Sequence, residues 1–293
     1  LHFSIVDVFA VEKYTGNQLA VFRNAAHLTD TQMQALAREM HFSETTFILS
    51  DEPRNGGYDV WIFTPSEEVP FAGHPTLGTA YVIQKQIVQR PVEQVVLNLK
   101  VGQIPVTFAQ GEGGEPADVL WMRQNAPEFG KTLEAARLAW ILNLSPDDID
   151  MRFPVQEVST GLPHILVPLK SIDALRRAHV AREEYFALIQ HAWAQAIMVF
   201  CLGGYDGCDL GVRMFADCFG ITEDPATGSG NGCLAGYLVK HRYFGAPSIR
   251  IRTGQGFEIQ RPSHLFLQAE ERGDVIDVRV GGRVIPVAEG TLL

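Results

Sequence analysis

The chain has 293 residues, 46% of them hydrophobic and 20% charged, and a net charge of −10. This length fits two domains of about 150 residues each, with apolar side chains enough for sizeable cores and no need of a covalent staple. The acidity excludes nucleic acid as a main partner, because phosphate binding needs clustered Lys and Arg; the densest basic group, Arg176-Arg177 with Arg182, is broken by apolar residues and followed by Glu183-Glu184.

The chain opens Leu1-His2-Phe3-Ser4-Ile5-Val6-Asp7, which reads as a strand and not as a targeting signal. Runs rich in Val, Ile and Phe predict further strands over 19–22, 45–49, 58–63, 95–99 and 104–108. Thr29-Asp30 caps a predicted helix running to Met40, with Met33, Leu36, Ala37 and Met40 on one face. A second helix starts near His74-Pro75 and carries Leu77, Ala80, Tyr81 and Ile83. The glycine- and proline-bearing stretch 110–117 predicts the turn between the halves, 1–115 and 116–293, with the last strand able to return to the first half. Beyond it the pattern gives strands over 120–124, 155–159, 164–168, 196–201, 210–215, 249–253 and 275–280, and helices over 133–142, 182–193 and 232–241. The four cysteines, Cys201, Cys208, Cys218 and Cys233, contain no C-x-x-C pair, so reduced thiols are expected in place of zinc or a disulfide framework. The uncharged stretch 192–205 is too short to span a bilayer. A cytoplasmic protein with no membrane partner is expected.

The two halves echo each other. Trp61-Ile62-Phe63-Thr64-Pro65 and Glu67-Glu68 lead into Ala72-Gly73-His74-Pro75-Thr76-Leu77-Gly78 and an apolar helix. Arg213-Met214-Phe215-Ala216-Asp217 and Glu223-Asp224 lead into Ala226-Thr227-Gly228-Ser229-Gly230-Asn231-Gly232 and another. The first turn of a helix presents unpaired N–H groups and the positive end of its dipole, and glycine lets an anion approach them. Such a pair suits a carboxylate substrate and charge developing on it. The same loops can also serve only as tight turns.

Several motifs are absent. Gly228-Ser229-Gly230 is flanked by Thr227 and Asn231, so it is not a G-x-S-x-G elbow, and Cys233 stands where G-x-G-x-x-G needs its last glycine. No H-E-x-x-H occurs, and no metal or cofactor is expected. The proton-handling candidates are Glu44, His74, Asp224, Ser229 and His164. Each has an ordinary alternative: a capping or ion-paired Glu44, a helix-entry His74, a turn Asp224, a capping Ser229 and a strand-start His164. Phe42 and Phe47 beside Glu44 predict a poorly hydrated carboxyl, which suits a general base.

Gly16-Asn17-Gln18-Leu19-Ala20-Val21-Phe22, Ser43-Glu44-Thr45-Thr46-Phe47, Phe63-Thr64-Pro65 through Gly73-His74-Pro75-Thr76, and Glu223-Asp224-Pro225-Ala226-Thr227-Gly228-Ser229 together resemble the PhzF-like (phenazine-biosynthesis-like) family, in order and spacing, over essentially the whole chain. The resemblance implies an α/β (α+β), diaminopimelate-epimerase-like fold: two pseudo-symmetric halves, each a curved sheet or barrel around a central helix, with the site between them. It further implies a homodimeric, cofactor-independent isomerase acting on a small carboxylated substrate, trans-2,3-dihydro-3-hydroxyanthranilate in the phenazine enzyme. Glu44 would be the acid/base, with His74 and Asp224 as catalytic helpers. Ser229 and the amides of Gly73 and Gly228 would bind substrate, and Asn17, Ser43 and His164 complete the expected binding set. Trp61 stands where many members have arginine, and Ala216-Asp217 where a proline is common. These departures leave the catalytic set intact and bear on the substrate. A catalytically idle binding protein of the same fold is the competing class. An amino-acid epimerase is disfavoured: the epimerases use two cysteines, and here the first loop has none while Cys233 lies a helical turn beyond Ser229.

Overall fold

In the computed structural model, which describes residues 1–109 and 118–293, the Val-, Ile- and Phe-rich runs pair as strands, and the apolar stretches after the two glycine loops coil into helices. The predicted turn 110–117 lies outside the described residues. Leu1–Arg123 with Gly281–Leu293 form one compact unit and Gln124–Val280 a second.

The first unit holds β1 (His2–Val8), β2 (Asn17–Phe22), α1 (Asp30–Met40), β3 (Glu44–Ile48), β4 (Tyr58–Phe63), a short β5 (Glu68–Val69), α2 (Gly73–Val82), β6 (Gln94–Leu99), β7 (Gly102–Phe108) and β8 (Val119–Arg123). The second holds β9 (Glu128–Thr132), α3 (Ala135–Ile141), β10 (Gln156–Ser159), β11 (Pro163–Leu169), α4 (Ile172–Arg177), α5 (Arg182–Ile189), β12 (Ala196–Leu202), β13 (Leu210–Phe215), α6 (Gly228–Lys240), β14 (Ser248–Gln255), β15 (Ser263–Arg272) and the start of β16 (Val275–Thr291). From Gly281 on, β16 belongs to the first unit.

In the first unit β1-β2-β3-β4-β6-β7-β8 follow one another in the sheet, and β16 pairs with both β8 and β1, so eight strands close into a barrel without a free edge. Helix α2 packs on β1, β2, β3, β6, β7 and β8 and is therefore the barrel's central helix. Its residues are buried on all sides except at Tyr81, which is why its apolar pattern is not one-sided. Helix α1 lies outside, entered through a Thr29/Gln32 capping box, and sets Met33 and Ala37 against Phe22, Phe47 and Phe63.

In the second unit the strands run in the order β9-β10-β11-β12-β13-β14-β15-β16. Ile165, Val167, Leu169, Ile197 and Val199 join a core with α3, α4 and α5. Strand neighbours of opposite parity face the other way, and there Phe200 meets Tyr237 of α6 with ring centroids 5.6 Å apart. Both faces of β11 and β12 are thus covered, so these strands read as continuous apolar runs.

The two units repeat one topology. β1–β2, β3–β4 and β6–β7 are antiparallel, with parallel β2–β3 and β4–β6 between them. β10–β11, β12–β13 and β14–β15 are antiparallel, with parallel β11–β12 and β13–β14 between them. The registers also match: Phe63 sits opposite Thr45, and Phe215 opposite Ile197. The pseudo-symmetric, diaminopimelate-epimerase-like halves implied by the resemblance are present.

Three local expectations need correction. Helix α6 starts at Gly228, a turn earlier than 232. Glycine is a poor helix former, but a Cβ at Gly230 would run into Met198, and one at Gly232 would lie 3.0 Å from Gln124 Cγ, so close packing overrides propensity here. β9, α4 and β15 were not anticipated, and β16 runs far past residue 280. The predicted helix over 182–193 stops at Ile189.

Candidate active site

In the first unit, β3 begins at Glu44 and α2 at Gly73, and these two starts bring Glu44 and His74 together. Glu44 Oε2 lies 3.5 Å from His74 Nε2, with the histidine side chain 6% and the glutamate 17% exposed. Burial lowers His74 to about 3, against the opposing pull of a hydrogen bond from the ring to the Gln18 backbone carbonyl. His74 is therefore a neutral imidazole and the contact is no ion pair, although its distance would allow one. The Gln18 carbonyl holds the ring's other nitrogen as N–H, which leaves Nε2 a lone pair turned toward Glu44. Phe47 does not neighbour the carboxyl as the sequence suggested. Three positions on along β3, it occupies the opposite face and stacks on Phe22 with centroids 5.2 Å apart. Asn17 is buried at the start of β2, opposite Val8, and Ser43 is half-buried immediately before β3.

In the second unit, Asp224, Gly228 and Ser229 share the loop that enters α6, with Asp224 and Gly228 buried and Ser229 half-buried. The Thr227 hydroxyl makes a short hydrogen bond to Asp224 Oδ2. Neither α2 nor α6 takes a side-chain cap on its first-turn amides: α2 starts after Ala72, and Thr227 spends its hydroxyl on Asp224. By contrast α1 and α4 are capped by Thr29 and Ser171. The amides of both glycine-loop helices are thus left for another acceptor.

His164 lies beside the first turn of α6, where a Cβ on Gly230 would come within 3.4 Å of its Cδ2. It is fully buried at the start of β11, its Nδ1 2.8 Å from the Leu162 carbonyl oxygen and 3.6 Å from Cys233 Sγ. Burial lowers it to about 4 and pushes the Cys233 thiol up to about 12, so this pair is a neutral imidazole beside an inert thiol.

Reading the sequence missed two groups. Arg213 of β13 grips Glu223 with Nε and Nη2 at 2.9 and 2.8 Å. Its Nη1 donates to the carbonyls of Leu175, Arg176 and Ala178 at the end of α4. Glu223, next to Asp224, has a side chain only 8% exposed and is held in place by this pair. The other group is the buried polar cluster Thr227, Asn231, Thr253 and Gln255, of which only Thr227 and Asn231 lay in the glycine-loop motif. Among the described residues, no three His, Cys, Asp or Glu side chains come together as a metal-ligand set. Nor is any helix long and apolar enough to cross a membrane.

This duplicated arrangement of a helix threaded on a curved sheet is a fold seen in other solved structures. A probable proline racemase from Agrobacterium radiobacter shares it with a TM-score of 0.62 at 11% identity, over 100% of this chain and 92% of its own. The chain belongs to the phenazine biosynthesis-like protein family, whose model matches residues 6–290. A PhzF-family protein from Bacillus anthracis superposes with a TM-score of 0.90 at 26% identity, covering 100% of this chain and 99% of the other. The trans-2,3-dihydro-3-hydroxyanthranilate isomerase of Pseudomonas fluorescens is 36% identical over 100% of this chain and 99% of its own length. The full-length match to curated isomerases places the chain among the isomerases.

Proposed function

We propose that the protein moves a proton from one carbon to another of a small, unsaturated, carboxylated substrate, with Glu44 as the acid/base and no cofactor. The observation that carries this reading is the contact of 3.5 Å between Glu44 and a neutral His74. A 1,3-proton shift is redox-neutral and needs one group that takes a proton and gives it back. Ionised Glu44 takes the C–H proton. Once protonated, it can donate to the His74 Nε2 lone pair, which has nothing to offer the ionised form, so His74 favours the intermediate state in which the proton is on the enzyme. Uncapped amides at Gly73 and Gly228 suit a substrate carboxylate or the negative charge that spreads over the conjugated system as the proton leaves. Asp224 and Ser229 are proposed to hold the substrate's polar groups.

The register of the duplication supports a single base. Glu44 precedes Thr45, which pairs with Phe63; the corresponding residue before Ile197, which pairs with Phe215, is Ala196. The counterpart of the carboxylate is a methyl group, and the counterpart of the first-loop His74 is Ser229. Among substrates, trans-2,3-dihydro-3-hydroxyanthranilate or an analogue is favoured by the relative that bears its name. The test is proton NMR of that compound in heavy water. Conversion with deuterium incorporation by the wild type, lost in Glu44→Gln, is expected. Conversion that survives in Glu44→Gln would refute the role of Glu44, and none by the wild type would refute the substrate.

A further inference from the structure

The loop carrying Asp224 is held by a closed set of buried hydrogen bonds. Gln255, at the end of β14 and fully buried, donates through Nε2 to the Asp224 backbone carbonyl at 2.8 Å and to Thr227 Oγ1 at 3.1 Å. Its Oε1 accepts from the Thr227 backbone N–H at 3.2 Å and from Asn231 Nδ2 at 2.9 Å. Asn231 Nδ2 also donates to the Thr227 carbonyl at 3.0 Å, and its Oδ1 accepts from the Thr253 hydroxyl at 2.7 Å.

The direction of every bond follows from groups that have no choice. A backbone carbonyl only accepts and a backbone N–H only donates, so Asp224 and Thr227 together fix which end of the Gln255 amide points where. Both amide hydrogens and both lone pairs of Gln255 are then used. Thr227 Oγ1 receives one of those hydrogens, and its own proton is left with the Asp224 carboxyl as acceptor. A proton arriving at Asp224 from outside therefore meets Oδ2 already accepting one.

The geometry points to Gln255 as a positioning residue: it turns the Thr227 hydroxyl onto Asp224, fixes that carboxylate as an acceptor, and withholds the hydroxyl from the first-turn amides of α6. Isolated, a Thr at the helix N-cap turns its hydroxyl onto the amide of the second or third helical residue; here the Gln255 frame sends it the other way. Its consequence for turnover rests on the proposed place of Asp224 in the site.

The experiment reads frame and reaction separately. In protein deuterated except at threonine, proton NMR should show a protected hydroxyl resonance that vanishes in Thr227→Val and moves upfield in Asp224→Asn. Gln255→Glu keeps the acceptor for Thr227 N–H and Asn231 but deletes the donors, so the hydroxyl should turn to the new carboxylate, and Asp224→Asn added to it should no longer move the resonance. If Gln255→Glu does not fold, Gln255→Met should instead abolish the protection. A resonance insensitive to Asp224→Asn, or unchanged when Gln255 is replaced, overturns the proposal. On turnover of trans-2,3-dihydro-3-hydroxyanthranilate, Thr227→Val is expected to lose about 100-fold in kcat, the scale of a misplaced catalytic group, and Thr227→Ser to restore it. Equal losses in the two would overturn the role in the reaction. A wild type that does not turn the compound over sinks the functional reading and leaves the NMR result to judge the frame.

Discussion

Replacing His164 with Asn removes one of two imidazoles that burial holds neutral. In the folded chain His74 is lowered to about 3 and His164 to about 4, each mainly by loss of hydration and each against a backbone carbonyl that pulls the other way. In the unfolded chain both protonate near pH 6.5. Below that pH the unfolded state binds more protons than the folded one, so stability falls as pH falls. The contribution of each histidine is fully present above pH 6.5 and is lost progressively down to its folded value. The slope is about 1.4 kcal/mol per pH unit for each, and the two together cost about 5 kcal/mol between pH 6.5 and 4.5. That is comparable to the whole stability of many domains. Urea unfolding of wild type, His164→Asn and His74→Asn across pH 7.5 to 4.5 checks it. Below pH 6.5 each variant should lose stability less steeply than the wild type by about 1.4 kcal/mol per pH unit, whatever its stability at neutral pH. If His74 formed an ion pair with Glu44, the His74→Asn curve would parallel the wild type while His164→Asn did not. Parallel curves for both would refute the reasoning from burial.

Gly78 in α2 sits where a Cβ would lie 2.9 Å from Val8 Cγ2 and 3.2 Å from Val6 Cγ2, with Leu19 closer still. Gly78→Ala is therefore expected to lower stability by about 1–2 kcal/mol despite alanine's better helix propensity, and a rise in the denaturation midpoint would contradict this. Arg213→Met leaves Glu223 buried without its partner and strips the donor from the end of α4, at a cost of about 3–5 kcal/mol. Adding Glu223→Leu should recover part of that, and no recovery in the double variant would show that the carboxylate was not the penalty. Cys233, fully buried with its thiol pushed up to about 12, should resist iodoacetamide at pH 8 in the native protein and react once unfolded; native-state labelling seen by mass spectrometry would overturn its assignment as inert.

The parts of the site visible in the sequence are those that one short segment carries. Glu44 in Ser43-Glu44-Thr45-Thr46 and His74 after Gly73 were legible, because a motif records both residue type and place. Their contact was not, since it needs β3 and α2 side by side. Gln255 gave no local signal: it lies between two glycines in a chain rich in them, and its role exists only once β14 passes the loop before α6. The far half of β16 begins at Gly281-Gly282, where the apolar pattern of the strand over 275–280 stops. In the barrel those glycines are where the strand passes against the rings of Trp121 and Phe9, which leave no room for a Cβ. Phe47 misled because residues an odd number of positions apart along a strand lie on opposite faces.

The duplication sharpens the stereochemical expectation. An enzyme that inverts a centre needs a base on one face and an acid on the other, so equivalent positions in two repeated units are natural places for two proton-handling groups. Here the repeat is kept in strand order, direction and register, while the chemistry is not: Glu44 matches Ala196, and the buried thiol of Cys233 is held in its protonated form. On the proposed reading one carboxyl both removes and returns the proton, from the same side of the substrate plane. Turnover of trans-2,3-dihydro-3-hydroxyanthranilate in heavy water should place deuterium on the face from which the proton left, readable from proton–proton couplings in the product. Delivery to the opposite face would require a second acid, and would move the search to the loop of Asp224 and Ser229.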